Sequence, residues 1–234
     1  MTFYAQMPSD LGTMLLCSNG SHLSGVYFID QSDCPLSSAA TLPPSRHEGP
    51  SAGLMEGLPI KKFKAHRVAQ GDLFVSALPS PEKSGMAEPE AEGRRQGVAD
   101  ESVQDLFRVL QADTPGCVEA LFQQARQEID AYFRSELKSF TVPLHVEGTE
   151  FQKKVWRALL DIPYGESASY GEIARAAGLT PQHGRPVGTA VGRNPVSIII
   201  PCHRVLGNGG TLTGYTGGLA RKVSLLQLEG FTLG

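Results

Sequence analysis

Eight of the sixteen prolines in this 234-residue chain fall between residues 31 and 100, among serines, glycines and alanines. Proline fixes φ and removes a backbone donor, so a stretch this rich in it sustains neither ladders nor long helices. Runs such as Glu88-Pro89-Glu90-Ala91-Glu92-Gly93 offer too little apolar surface to bury. A packed fold therefore has to be assembled from 1–30 and 101–234, with 31–100 as a low-complexity, flexible insert. Within the insert, only Lys61–Leu78 has strand-like composition, with Phe63, Val68, Leu73, Phe74 and Val75. Its Lys61, Lys62, Lys64 and Arg67 are read as a solvated run in preference to a phosphate contact.

The flanking segments carry clear local signals. Thr2–Met7, Gly12–Cys17 and Leu23–Ile29 read as a three-stranded meander, with turns at Pro8-Ser9-Asp10 and Ser18-Asn19-Gly20-Ser21. Three strands need a cover. Val118–Leu137 supplies one, a helix with Ala120, Leu121, Ala125, Ile129, Tyr132 and Phe133 at helical spacing. Tyr132 and Phe133 are read as core. Phe140–Pro143 leaves this unit (1–30 with 101–143) as an extended segment, and 144–234 forms a second unit. There Thr149 caps a helix with the stripe Phe151, Val155, Trp156, Leu159 and Leu160, stopped by Ile162-Pro163-Tyr164-Gly165. Ser169–Ala177 and Arg185–Val191 follow as two short helices, a spacing that fits a helix-turn-helix. The second is almost bare: Val187-Gly188-Thr189-Ala190-Val191-Gly192. Glycine costs about 1 kcal/mol in a helix, so close approach is wanted there, either by another helix or by a DNA groove.

Next comes Asn194-Pro195-Val196-Ser197-Ile198-Ile199-Ile200-Pro201-Cys202-His203-Arg204-Val205. The isoleucine run reads as a short buried strand that delivers a thiol at its end. His203 and Arg204 beside it are cationic or can become so, and positive neighbours lower a thiol's pKa and make it nucleophilic. The charge of the chain is uneven. Residues 1–140 hold 12 Lys+Arg and 18 Asp+Glu, net −6, and 141–234 hold 9 and 6, net +3. A mildly basic second unit permits DNA binding without demonstrating it. Cys17, Cys34, Cys117 and Cys202 are scattered, without zinc-finger spacing or a disulfide framework. No signal peptide or membrane-length apolar run is evident. The expectation is an intracellular, cytoplasmic protein with a free thiol and no membrane partner.

Phe151-Gln152, Val155-Trp156, Ile162-Pro163-Tyr164-Gly165, Ser169-Tyr170, Arg185-Pro186-Val187-Gly188, Asn194-Pro195, Ile200-Pro201-Cys202-His203-Arg204-Val205, Gly214-Tyr215-Thr216-Gly217-Gly218 and Leu225-Leu226 before Glu229-Gly230 recur in this order. In them the chain resembles the methylated-DNA–protein-cysteine methyltransferases, the O6-alkylguanine-DNA alkyltransferases of direct repair. The match is dense over 149–234 and only a matter of layout over 1–30 and 115–143. The resemblance implies an α+β fold. Its N-terminal part is a small antiparallel sheet with a helix, ribonuclease H-like. Its C-terminal part is mainly helical and carries the helix-turn-helix and the active-site cysteine. It implies a monomer that binds double-stranded DNA through the minor groove and flips the alkylated base out of the stack. No cofactor is implied.

By the same resemblance, Cys202 attacks the alkyl carbon on guanine O6 and keeps it as a thioether, so each molecule reacts once. His203 is the base, acting through a water, and Glu229 orients it. Tyr170 donates a hydrogen bond to the leaving guanine, and Asn194 ties the recognition helix to the active-site strand. Arg185 fills the gap in the base stack. Val205, Tyr215 and Thr216 line the base pocket, Lys222 is a basic position beside it, and Arg204 is an ion-pair partner. Three departures from the family pattern stand out. Pro186 follows Arg185, which places Arg185 just outside the helix. Val223-Ser224 replaces an acidic–aromatic pair. Cys17 and His22 do not line up with the zinc ligands of some members, so no metal is expected. The rival readings are a lesion-binding protein that transfers nothing, a helix-turn-helix regulator and a thiol hydrolase. The first carries another residue, typically tryptophan, in place of Cys202. The second has a cysteine-clustered zinc domain that this chain lacks. The third leaves the bare helix unexplained.

Overall fold

The computed structural model of the chain describes residues 1–36, 60–61, 108–109 and 111–233. The meander is present as β1 (Phe3–Met7), β2 (Met14–Ser18) and β3 (Leu23–Phe28), all antiparallel. Alternation assigns the faces. Phe3, Ala5, Met7, Met14 and Leu16 point into the main core. Leu15 and Cys17 point the other way, into a small cluster with Tyr4, Tyr27 and Cys34. Two further two-residue strands follow, β4 (Ile60–Lys61) and β5 (Arg108–Val109). β5 pairs antiparallel with β1 and makes a four-stranded sheet in the order β3-β2-β1-β5. The rest of the possible strand at Lys61–Leu78, like most of the 31–100 stretch, lies outside the described residues. Residues 31–36 turn back onto the sheet: Gln31 is buried, and its side-chain oxygen accepts from the Phe28 N–H at 2.9 Å.

The covering helix, α1 (Gly116–Phe133), buries Val118, Leu121, Phe122, Ala125, Ile129 and Tyr132. It ends four residues before the expected Leu137. Ser135 sits at φ +60°, and the N–H groups of Glu136 and Leu137 both donate to the Ala131 carbonyl.

β3 is an edge strand, and its free side stitches the two parts of the chain together. Leu23 N donates to Pro143 O at 2.8 Å and His145 N to Leu23 O at 3.0 Å. Further along, Val26 N donates to Pro195 O and Ser197 N to Val26 O, each at 2.9 Å. These are parallel bridges at Leu23–Leu144 and Val26–Val196.

The second part is helical. Thr149 and Gln152 form a reciprocal capping box for α2 (Glu150–Leu160), and Ser169 and Glu172 do the same for α3 (Tyr170–Ala176). A single 3-10 turn at Pro181–His183 leads into α4 (Gly184–Gly192). The pair α3–α4 is the expected helix-turn-helix. The α4 helix buries Val187, Ala190 and Val191, and the Trp156 indole N–H donates to the Ala190 carbonyl at 2.8 Å, fixing α4 on α2. Arg185 lies in the first turn of α4 and Pro186 follows it there, which corrects the placement of Arg185 outside the helix. First-turn N–H groups have no intrahelical partner, so proline costs nothing there. α5 (Leu219–Leu228) closes the fold, and β8 (Thr232–Leu233) pairs with β4.

The expected strand before Cys202 is not a strand. Residues 195–200 form tight turns in which only Val196 pairs with a neighbour. Ile198 is fully buried at φ +71°, a strained conformation for a β-branched residue. Asn194 braces the turn on both sides of Ile198. Its side-chain oxygen accepts from Val196 N at 3.0 Å and its amide donates to the carbonyls of Val196 (3.3 Å) and Ile200 (2.8 Å). A side chain thus does for this segment what a partner strand would do, and the isoleucines still point into the core.

Candidate active site

Pro201 ends the turns, and Cys202–Arg204 makes one 3-10 turn before β7 (Val205–Leu206), which pairs in parallel with β6 (Ala168–Ser169). That geometry sends three consecutive side chains to different partners. Cys202 faces an open cleft of about 440 Å³, lined also by Tyr170, Gly188, Val191, Gly192, Gly214, Tyr215 and Thr216. Its sulfur accepts from the Asn194 amide at 3.1 Å. Burial pushes the Cys202 thiol up, while the Asn194 hydrogen bond and the Lys222 charge pull against it. The net direction is upward, so the group is held as a thiol. The expectation that His203 and Arg204 activate it as neighbouring cations is corrected here, because both turn towards Glu229. The cation that acts on the sulfur is Lys222. Its ammonium is buried and donates to the carbonyls of Val205 (2.6 Å) and Thr213 (3.2 Å). Burial brings it down to about 8, opposed by Cys202.

His203 is fully buried, with its Nε2 2.9 Å from Glu229 Oε1. Burial lowers its pKa and outweighs the upward pull of Glu229, so the imidazole is neutral at pH 7. A neutral ring beside a carboxylate carries its proton on Nε2. Nδ1 is then the basic nitrogen, and no described side chain or backbone group hydrogen-bonds to it. Glu229 is the hub. Burial would raise its carboxyl, but His203 and then Arg204 overcome this and bring it to about 2. While His203 is neutral, the positive charge in that balance is Arg204's. Its Nε and second terminal nitrogen reach the carboxylate at 2.9–3.1 Å, and its other terminal nitrogen donates to Ile162 O at 2.6 Å.

The helix-stopping Ile162-Pro163-Tyr164-Gly165 therefore has a second use. Gly165 N donates to Glu229 Oε2 at 3.1 Å and the Tyr164 hydroxyl to Leu228 O at 2.9 Å. Gly165 is at φ +74°, where a side chain is disfavoured.

Cys202, Tyr170, Tyr215 and Thr216 meet at the cleft, with Asn194 and Lys222 behind it and His203 and Glu229 deeper. Thr216 donates its hydroxyl to Gly192 O at 2.6 Å and so joins the pocket loop to α4. Val205 is buried outside the cleft lining and contributes a carbonyl to Lys222. Arg185 is exposed, beside a second hollow lined by Ser169, Tyr170, Gly171, Gly184 and Asn208. Two participants escaped the sequence reading. Thr213 Oγ1 lies 2.8 Å from the Tyr170 hydroxyl. The Tyr132 hydroxyl donates to Glu229 Oε1 at 2.7 Å. Thr213 carries no sequence signal. Tyr132 carries one: a buried tyrosine hydroxyl ordinarily has a partner. Among the described residues no cluster of three or more His, Cys, Asp or Glu could hold a metal ion, and no helix is long and apolar enough to cross a membrane.

Residues 150–231 match the family model "6-O-methylguanine DNA methyltransferase, DNA binding domain". The methylated-DNA–protein-cysteine methyltransferase of Methanosarcina acetivorans is 57% identical over 112 residues, 48% of this chain and 71% of that protein. The protein of the same name from Mycobacterium leprae is 56% identical over 108 residues, 46% of this chain and 65% of that one. Among solved structures, the O6-methylguanine methyltransferase of Mycobacterium tuberculosis superimposes with a TM-score of 0.59 at 32% identity, covering 98% of this chain and 93% of that one. The M. tuberculosis protein in complex with DNA gives 0.56 at 31% identity, covering 96% and 90%.

Proposed function

This chain belongs to the methylated-DNA–protein-cysteine methyltransferase family, and on that premise we propose that it repairs DNA by moving the alkyl group of O6-alkylguanine onto Cys202. One observation carries the reading: a buried thiol on the cleft floor, next in the chain to a neutral histidine whose Nε2 is committed to a carboxylate. The thiol proton passes through a water to His203 Nδ1. The sulfur's electron pair then forms the bond to the alkyl carbon, the carbon–O6 bond breaks, and its electrons stay with guanine. Tyr170 donates a hydrogen bond to the departing base. The Tyr170 hydroxyl can do this while accepting from Thr213, a direction the 2.8 Å contact permits. The imidazolium that forms meanwhile is stabilised by Glu229. The thioether has no leaving group, so each molecule reacts once.

DNA would meet α4. Arg185, Pro186, Thr189 and Gly192 are its exposed residues and the exposed Arg193 caps its end, so small side chains lie between two arginines. Such a surface suits the minor groove, with Arg185 filling the space left in the stack. The sulfur lies at the bottom of the cleft and a stacked base cannot reach it, so the lesion has to be flipped out.

The test is incubation with DNA bearing labelled O6-methylguanine. Label should move to the protein up to one equivalent, and Cys202→Ala should take none. Transfer that persists in Cys202→Ala removes Cys202 as acceptor, and repeated turnover removes the stoichiometric scheme. The same assay with O4-methylthymine defines the substrate range.

A further inference from the structure

Among the described residues, the hydroxyl of Tyr132 is the one polar atom that α1 sends into the relay, and a phenylalanine would fill the same space. The ring is packed among Phe133, Phe140 and Tyr164, with centroids 5.8, 5.5 and 6.0 Å away. The side chain is fully buried. A hydroxyl there is costly unless it is bonded, and both of its contacts lie in the relay: the Glu229 carboxylate and the His203 ring.

We propose that Tyr132 is a positioning residue of the relay: through Glu229 it fixes the tautomer of His203 and sets how tightly that imidazole holds a proton. The argument rests on the functional reading above and on the geometry of three atoms. The Tyr132 hydroxyl donates its one hydrogen to Glu229 Oε1 at 2.7 Å, and its oxygen lies 3.4 Å from His203 Nε2. Nε2 is itself 2.9 Å from the same Oε1. A lone pair on Nε2 would face two oxygens that have no hydrogen to offer it. A hydrogen on Nε2 is attracted by both. The phenol therefore reinforces the Nε2–H form and leaves Nδ1 as the base.

Its second effect is on charge. The phenol hydrogen takes up part of the Glu229 charge that would otherwise stabilise imidazolium, in a hydrogen bond to an ionised acceptor, the stronger kind. Removing it leaves Glu229 more attractive to a protonated His203. The other groups facing the pair are Arg204 in the same 3-10 turn, Lys222 on α5, Cys202, and Tyr164, whose ring lies 5.8 Å from the Lys138 ammonium. None is altered by the loss of one hydroxyl.

The test compares wild type with Tyr132→Phe in the full-length chain. Nitrogen NMR of the His203 ring, without DNA, should find the Nε2–H form in wild type. In Tyr132→Phe the ring should titrate about half a pH unit to one unit higher. In single-turnover transfer from O6-methylguanine DNA, the variant should be about threefold to tenfold slower on the acid side and equal to wild type at alkaline pH. Phe133→Leu loosens the same packing without touching the hydrogen bond. It should lower the melting temperature and move neither curve. An Nδ1–H form in wild type overturns the proposal without any variant, which covers the case of Tyr132→Phe failing to fold. A Tyr132→Phe titration that superimposes on wild type also overturns it, as does slowing by one factor at every pH. If wild type transfers no label, the functional reading falls, while the ring titration still decides the role of Tyr132.

Discussion

Asn194 shows how much one side chain can carry. Its amide and carbonyl satisfy three backbone groups of the turn and also reach the sulfur of Cys202. Asn194→Ala would leave several buried groups without partners, each costing about 1–3 kcal/mol. Asn194→Asp is the more informative change, because it keeps the shape and puts a negative charge against the thiol. Cys202 in Asn194→Asp should react with iodoacetamide along a pH curve displaced upward from wild type, the sign expected when an anion opposes a thiolate. A curve that stays in place would mean the amide does not tune the sulfur. At this scale the sequence is legible where residues belong to a recurring motif, as Cys202, His203 and Glu229 do. It is silent where partners are far apart in the chain. The Tyr132 hydroxyl meets Glu229 across 97 positions and Tyr170 meets Thr213 across 43, and no local pattern records such a meeting.

Elements whose causes are local were readable. The caps at Thr149 and Ser169 are short-range hydrogen bonds, and the helices begin where those residues stand. The isoleucine run misled for a physical reason: composition reports burial, and burial in turns held by Asn194 looks the same as burial in a strand. β5, two residues long, is too short to leave a period. The bare helix α4 leaves two uses open in sequence, close approach by another helix or by a DNA groove, and the structure shows the first. Its inner face packs on α2 through Ala190, while Gly188 and Gly192 line the cleft. A methyl group on Gly188 would lie 3.6 Å from the Tyr170 ring, an ordinary contact. Gly188→Ala should therefore stabilise the fold by about 0.5–1 kcal/mol in urea titration through helix propensity. The same methyl narrows the cleft, so single-turnover transfer should slow. A variant that is both more stable and fully active would mean that Gly188 is small for no functional reason.

For the whole molecule, the buried cluster of His203, Arg204 and Glu229 makes stability depend on pH. Glu229 is depressed to about 2 in the fold, below the ordinary glutamate value near 4.3. Its contribution is complete above that ordinary value and is lost as pH falls from there through about 2. The size is on the order of 3 kcal/mol. The His203 pKa is also lowered, in this case by burial. The unfolded chain therefore takes up that proton first, and the loss begins as pH drops below the ordinary histidine value of about 6.5. Urea midpoints should decline in two stages, one below about pH 6.5 and one below about pH 4.3. Glu229→Gln should start lower at pH 7 and show a smaller second stage. The remainder comes from Glu128, whose carboxyl burial would raise but hydrogen bonds from Thr141 and Gln124 hold low. An identical acid profile in the variant would place the titrating carboxylate elsewhere.

The stitch between β3 and residues 195–197 has a further consequence for how the chain comes apart. Val26 exchanges two backbone hydrogen bonds with the turn that leads into Cys202, and Tyr132 reaches Glu229 from α1. Neither half can melt without releasing a part of the site that the other half shapes. Calorimetry should record one heat-absorption peak for the two, and amide exchange at Val26 and Ser197 should open in the same cooperative event. A lesion in the sheet, far from any DNA, would then be felt as lost repair.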